Sequence, residues 1–257
     1  MLFNRDKNKK NRVQALDFLR GLAIILMVAD HIFFNLHEFY GIRIPYIYDS
    51  LNGNPIGMIY VSLETFFRLL FVVISGACCI FSKNNLLRGV KLLGIALIIT
   101  LVTYLFSPDE VIIFGILHCL AVCMIIGHFI NRLPFYVPAS LGGCIILLGF
   151  SKVLESISPA SNYLMILGIT NENFFSADYF PLIPYLGWFF IGIALGKLLY
   201  GDDKRHDSKP HSSKKLPVFL SSIISVISFV GRYSLWMYIL HQPVVLAVMY
   251  LIFGPFF

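Results

Sequence analysis

Asp17, Arg20 and His31 lie within an otherwise apolar stretch, RVQALDFLRGLAIILMVADH at 12–31. Charge is costly at bilayer depth, at least about 2.5–3.5 kcal/mol per side chain, and it usually faces a bundle interior or a wet cavity. Asp17, Arg20, Ile24, Met27 and His31 step by three or four residues, so at 3.6 residues per turn they form one stripe that should face protein. A second stretch, IGMIYVSLETFFRLLFVVISGACCIF, carries Glu64 and Arg68 four residues apart, with Ser75 further on. An intrahelical pair would explain Glu64 and Arg68 alone, but two spans with inward-facing charge exceed what packing requires. FGILHCLAV adds His118, and GRYSLWMYILHQP adds Arg232, Tyr238 and His241. Histidine, with an unperturbed pKa of about 6.5, is the side chain best suited to move protons near neutral pH. The chemistry such a set offers is acid–base catalysis, or the proton relay and substrate path of a transporter or channel.

The elements that must position these groups follow from composition. The chain has 257 residues, 58% hydrophobic and only 13% charged, and a mean hydropathy of +0.78. That is the profile of a polytopic membrane protein. Apolar runs of the length that a hydrocarbon core of about 30 Å requires occur near 15–36, 57–81, 86–106, 111–130, 134–152, 180–200 and 233–254. The expected fold is therefore all-α, a helix bundle of about seven transmembrane helices. The run 216–229 is short for a span and reads as an interfacial or packed helix, which leaves eight spans as the alternative.

Basic residues mark every second loop, which predicts a cytoplasmic N-terminus by the positive-inside rule. Inside lie Arg5, Lys7, Lys9, Lys10 and Arg12, then Lys83, Arg88 and Lys91, then Arg132, then Lys197 and the basic residues of 201–215. The outer segments hold Arg43 and Lys152. Topology thus accounts for the net charge of +6 without nucleic acid. The domain organisation read from this pattern is a basic N-terminal segment, 1–14, and a single integral-membrane domain, 15–254, with a flexible cytoplasmic loop at 201–215. Multi-pass insertion in the plasma membrane is expected, with the first span retained.

Metal is not expected. Cys119 and Cys123 share a helix face but lack further ligands at zinc spacing, and all five cysteines fall in apolar spans as small core residues. His206 and His211 sit in the charged loop 201–215 and read as solvated. The long outer loops, 37–56 and 153–179, the latter with Glu155, Glu172 and Asp178, suit a surface that meets a polar substrate. The two related halves of many secondary transporters are not seen, which disfavours the alternative of a small-solute or proton-coupled transporter.

Depth separates the polar groups. With the N-terminus inside, His31 lies about 24 Å above residue 15, and Glu64 and His118 each fall about two turns below the outer surface. His31, Glu64 and His118 could share an outer-half pocket. Arg20 lies about 16 Å to the cytoplasmic side of His31, and Asp17 a turn closer still.

LDFLRGLAIILMVADH, FVVISGACCIFS, FGILHCLAV, PYLGWFFIGIALG and GRYSLWMYILHQPVV, in this order, resemble the bacterial branch of the heparan-α-glucosaminide N-acetyltransferase catalytic-domain family, over about residues 12 to 254. The resemblance implies an integral-membrane acyltransferase that moves an acetyl group from cytoplasmic acetyl-CoA to an amino sugar or glycan on the far side, by N- or O-acylation. His31 matches the end of the first-helix motif, where related enzymes place an active-site histidine. The lysosomal branch carries its histidine later, so His37 stands as the substitute. In this reading His31 removes the acceptor's proton or carries the acyl group, Asp30 or Glu64 orients it or stabilises its imidazolium, and His118 polarises the thioester carbonyl. Arg20, Arg68 and His241 meet coenzyme A, or the arginines pair structurally with Asp17 and Glu64. The bilayer, the glycan acceptor and a possible homo-oligomer are the expected partners.

Overall fold

The computed structural model of the protein describes residues 14–42, 54–151, 153–154, 156–157, 161–201 and 217–255. Among these residues there is no β-strand, and eight α-helices run Gln14–Tyr40 (α1), Pro55–Ala77 (α2), Asn85–Phe106 (α3), Ile116–Ile130 (α4), Tyr136–Phe150 (α5), Leu182–Tyr200 (α6), Val218–Arg232 (α7) and Ser234–Phe253 (α8). Every apolar run read from the sequence contains a helix. The basic segment 1–13 and most of the 201–215 loop lie outside the described residues, as do Arg43, Lys152, Glu155, His206 and His211.

Four of the described segments are long and apolar enough to cross a membrane: Pro55–Phe81, Asn85–Phe106, Leu182–Tyr200 and Ser234–Phe253. Their outward faces are greasy. Only 6% of the most apolar window of Ser234–Phe253 is buried, and Leu251 is 82% exposed, an arrangement that lipid stabilises and water would not. This is a membrane protein. α1 reaches 27 residues, about 40 Å at 1.5 Å per residue, one turn beyond the apolar run because Leu36 to Tyr40 continue the helix without a breaker. α4 starts at Ile116, five residues later than the run 111–130. Residues 111–114 are instead extended beside the segment before α6, where Ala177 N–H donates to the Val111 carbonyl at 3.1 Å and Phe180 N–H to the Phe114 carbonyl at 2.9 Å.

The described residues divide into two compact units, 1–71 with 212–257 and 72–211. In the first, small residues let α1 and α7 approach closely. A Cβ on Gly21 would press on the backbone of Ile227 and Gly231, and one on Gly231 on the backbone of Asp17. This is the small-residue packing that membrane helices use where hydrophobicity supplies no drive between them. Helix α8 lies beside α1 and runs in the same direction: His31 meets His241, Asn35 meets Gln242, and Tyr40 meets Phe253 and the Gly254 carbonyl.

In the second unit α5 and α6 cross at Gly142 and Gly187, each glycine 2.7–2.8 Å from the other's carbonyl as a Cβ would measure it. Gly89 of α3 fits against Ala121 and Ile125 of α4. Buried Asn85 ties the helix ends together by donating to the Cys79 carbonyl at 2.8 Å, which Asn131 also reaches at 3.3 Å. Lys197 at the end of α6 donates to the Asn131 and Leu133 carbonyls at 2.7 and 2.9 Å, satisfying acceptors that the end of α4 leaves open.

Candidate active site

The stripe on α1 faces protein. Asp17 is 5% exposed, Ile24 2% and Asn35 0%, and Asn35 extends the same three-and-four spacing one turn past His31. His31 itself is half-buried. Its Nδ1 lies 2.9 Å from the Met27 carbonyl. A carbonyl only accepts, so Nδ1 carries the proton and Nε2 the lone pair. The bond at this nitrogen is made by backbone four residues earlier.

Asp30 accepts from the Tyr60 hydroxyl, and Phe33 meets the Tyr60 ring at a centroid distance of 6.4 Å. Helix α2 therefore docks Tyr60 beside the α1 stripe, a contact with no counterpart among the residues singled out in the sequence. Glu64, one turn on, accepts from Arg68 at 2.9 Å and lies within electrostatic range of Asp30 and His31. His31, Asp30, Glu64 and Arg68 thus belong to one neighbourhood of the first unit. Arg20 pairs with Asp17 at 3.5 Å, farther down α1. Both arginines expected at coenzyme A also make the carboxylate pairs that the sequence offered as their structural role.

The C-terminal helix brings a second imidazole. His31 and His241 meet edge to face, with ring centroids 4.7 Å apart and planes at 87°. One residue along, Asn35 and Gln242 exchange amide bonds: Gln242 Nε2 donates to Asn35 Oδ1 at 2.9 Å, and Asn35 Nδ2 to Gln242 Oε1 at 3.4 Å. A buried amide pair of this kind fixes which turn of α8 faces which turn of α1. Spacing could have pointed to Asn35, since it continues the α1 stripe. Gln242 and Tyr60 carry no periodic signal, because their partners are 207 and 30 residues away.

His118 belongs to the second unit and is 3% exposed. The Gly115 N–H donates to its Nδ1 at 3.3 Å. Thr100 Oγ1, which donates to the Ile112 carbonyl at 2.7 Å, lies 3.1 Å from its Nε2 and accepts there. Both ring nitrogens are engaged, and the imidazole caps the start of α4. Asp178 from the segment before α6 completes that cap: its Oδ2 accepts from Ile116 N–H at 3.0 Å, a carboxylate at the positive end of a helix. The loop is pinned further by Ile113 N–H donating to Ser176 Oγ at 3.0 Å and by the Tyr179 hydroxyl donating to the Met165 carbonyl at 2.6 Å. Burial pushes the Tyr179 phenol up to about 12.

Among the described residues no three His, Cys, Asp or Glu side chains gather as a metal site would require. Cys119 and Cys123 lie with sulfurs 3.9 Å apart, buried between helices as small core residues.

No curated protein and no solved structure matches the chain significantly. The family model described as heparan-alpha-glucosaminide N-acetyltransferase, catalytic, does match, over residues 12–243. That span takes in the α1 stripe, the Tyr60 and Glu64 turns of α2, the capped start of α4 and the His241–Gln242 turn of α8. It covers most of an all-helical membrane chain, and the chain belongs to the heparan-alpha-glucosaminide N-acetyltransferase catalytic family, a family of transmembrane acetyltransferases.

Proposed function

We propose that this protein transfers an acetyl group from cytoplasmic acetyl-CoA to an amino sugar or glycan on the extracytoplasmic side, with His31 as the base that takes the acceptor's proton. The observation that carries the reading is the Met27 lock on His31. With Nδ1–H committed to the Met27 carbonyl at 2.9 Å, the ring is oriented and Nε2 is left as a lone pair in a half-buried site, the state a general base requires. Tyr60 holds Asp30 and Arg68 holds Glu64, so two carboxylates stand near a histidine that becomes positive as it works. They would stabilise that charge through space.

The donor set fits acetyl-CoA. Guanidinium groups match phosphate in charge and in hydrogen-bond geometry, and Arg20 and Arg68 would hold the phosphates. Acetyl-CoA supplies the activated acyl group as a thioester. His118, engaged at both nitrogens, would serve by holding α4 and the outer loop in place. We further propose seven membrane spans in the plasma membrane, with the N-terminus in the cytoplasm and α7 packed against α1 without crossing.

The test is transfer of labelled acetyl from acetyl-CoA to a panel of amino sugars and glycan lipids by the purified protein. His31→Asn should lower turnover by roughly 10²-fold or more, the scale of general-base catalysis, while Asn keeps a donor for the Met27 carbonyl and hence the fold. A well-folded His31→Asn protein with wild-type turnover, beside an inactive His37→Asn, would move the base to His37 in the last turn of α1. A wild-type protein that transfers acetyl to none of the panel but moves a solute in liposomes would replace the enzyme with a transporter.

A further inference from the structure

The helix ends at one side of the second unit meet around a single carbonyl. Asn85, at the start of α3, donates to the Cys79 carbonyl at 2.8 Å, and Asn131, just past α4, reaches the same oxygen at 3.3 Å. Lys197 of α6 donates to the Asn131 and Leu133 carbonyls, which holds the turn into α5 as well. This end is basic. It carries Lys83, Arg88, Lys91, His128, Arg132 and Lys197, and residues 72–108, 111–150 and 179–201 contain no Asp or Glu. The described carboxylates of the unit sit at the opposite end: Asp109 and Glu110 follow the last residue of α3, and Glu172 and Asp178 precede α6.

Two of the cations are fixed in place. Arg88 donates to Asn85 Oδ1 at 3.3 Å. Arg132 donates to His128 Nε2 at 3.0 Å and lies over the Phe129 ring, 6.0 Å from its centroid. Both belong to one helix pair. Gly89, next to Arg88, packs on Ala121 and Ile125 of α4, and His128 and Arg132 continue that face of α4 at steps of three and four. Arg20 and Arg68 face Asp17 and Glu64, whereas neither Arg88 nor Arg132 has a carboxylate partner among the described residues. A guanidinium that is oriented but not neutralised matches phosphate oxygens in charge and in hydrogen-bond geometry. Beside these cations Leu87 and Val90 of α3, Phe129 of α4 and Tyr136 of α5 are exposed. A free phosphate would use only the cations, while a phospholipid uses both surfaces.

We infer that the basic end of the second unit is a docking surface for an anionic phospholipid. Arg88 and Arg132 donate to the headgroup phosphate, and the exposed apolar side chains of α3, α4 and α5 lie against the acyl chains. Helix α3 begins here with no acidic residue in its first turn, so the positive end of its dipole adds to the attraction. In the topology proposed above this end faces the cytoplasmic leaflet, whose anionic lipids attract basic segments. Lipid docking here is independent of His31 and of acetyl transfer.

The test is the melting temperature of the full-length protein, purified in neutral detergent, against added dioctanoyl-phosphatidylglycerol. A ligand of the folded state raises it saturably, and the rise should shrink in about 1 M salt, where the screening length is about 3 Å. Dioctanoyl-phosphatidylcholine has the same chains without net charge and should leave it near the detergent value. Arg88→Gln/Arg132→Gln should weaken the apparent affinity for phosphatidylglycerol about 30-fold, at roughly fivefold for each basic residue near an anionic surface. Arg88→Lys/Arg132→Lys keeps the charge and should recover most of it. Lys83→Gln/Lys91→Gln removes as much charge away from the fixed pair and should cost far less. No rise with phosphatidylglycerol, or an equal rise with both lipids, overturns lipid docking, and that comparison needs no variant. Unchanged affinity in the Arg-to-Gln protein also overturns it, because the arginines then play no part. An equal loss in the Lys-to-Gln protein would leave a diffuse field without a site. Stabilisation by coenzyme A or inorganic phosphate that the Arg-to-Gln protein loses would assign this end to free phosphates instead of lipid.

Discussion

Arg20 and Asp17 show how one side chain can serve two roles that different measurements separate. The pair is 3.5 Å apart and largely buried, with side chains 16% and 7% exposed. Removing Arg20 alone would leave a buried carboxylate without this partner, so Arg20→Ala reports stability whatever else it does. The double variant Asp17→Asn/Arg20→Gln removes both charges and keeps the polarity. If Arg20 holds a phosphate of acetyl-CoA, titration calorimetry should show coenzyme A affinity about tenfold weaker or more in this variant, the loss expected for a charge-assisted hydrogen bond. Unchanged affinity in a folded double variant would make Arg20 purely structural. The Asn35–Gln242 clasp answers to a different measurement. Interhelical hydrogen bonds in membranes are worth about 0.6 kcal/mol on average and up to about 1.7, and this pair makes two. A double-mutant cycle with Asn35→Ala and Gln242→Ala should therefore give a coupling of about 1–2 kcal/mol. Turnover should drop in each single variant as the His31–His241 register loosens. A coupling near zero would mean that the glycine contacts and the aromatic pair Tyr40–Phe253 set the register without the amides.

At the scale of elements, the informative one is the loop that ends at α6. It acts as the cap of another element: Asp178 covers the N-terminus of α4, Ser176 covers Ile113, and Tyr179 reaches back to Met165 within the loop. The sequence marks Asp178 as a polar loop residue facing substrate. The structure commits its carboxylate to the Ile116 N–H, because a helix start buried under a loop leaves N–H groups that water cannot reach. Tyr179 gives this element a pH signature. Its phenol is raised to about 12 against about 10 for an unfolded tyrosine, so the folded state holds its proton longer than the unfolded state. The stability this contributes is complete below pH 10 or so and is lost as pH rises through about 12. Detergent-solubilised protein should show a melting temperature that falls between about pH 10 and 12. Tyr179→Phe should be less stable by about 1 kcal/mol at neutral pH, the worth of one hydrogen bond, and should fall less steeply at alkaline pH. Equal slopes for the two proteins would mean that other phenols or lysines govern the alkaline transition.

For the whole molecule the decisive property is which face of the membrane each end occupies. Helix α8 runs beside α1 in the same direction, so the end of α8 at Phe253 lies by Tyr40, at the far end of α1 from Gln14. The proposed topology, read from charge placement, has the N-terminus and 201–215 inside and 37–56 and 153–179 outside. Together these predict that a fusion after residue 254 reports the outer side. A periplasmic-type reporter there and in the 153–179 loop should be active, and a cytoplasmic reporter should be active in 201–215. Cytoplasmic activity after residue 254 would put the Tyr40 end of α1 inside as well and overturn the cytoplasmic N-terminus. Cytoplasmic activity in the 153–179 loop would overturn the span count and the donor route with it.

What the sequence determined by itself was whatever depends on near neighbours in the chain. Hydropathy runs located the helices to within a turn or so at most ends, since burial in lipid needs only length and apolarity. The three-and-four spacing of α1 identified its protein-facing stripe, and the i, i+4 spacing offered the Glu64–Arg68 pair. Ordered motifs identified the family. What only the tertiary structure decided was every contact between residues far apart: His31 against His241, Asn35 against Gln242, Asp30 beneath Tyr60, and Asp178 on α4. It also distinguished two histidines that read alike in sequence, since His118 has both nitrogens engaged and His241 has one left bare. The physical reason lies in the lone pair. Whether a ring nitrogen is a donor, an acceptor or idle depends on the group opposite, and for these histidines that group comes from backbone turns and from other helices whose register no local pattern records.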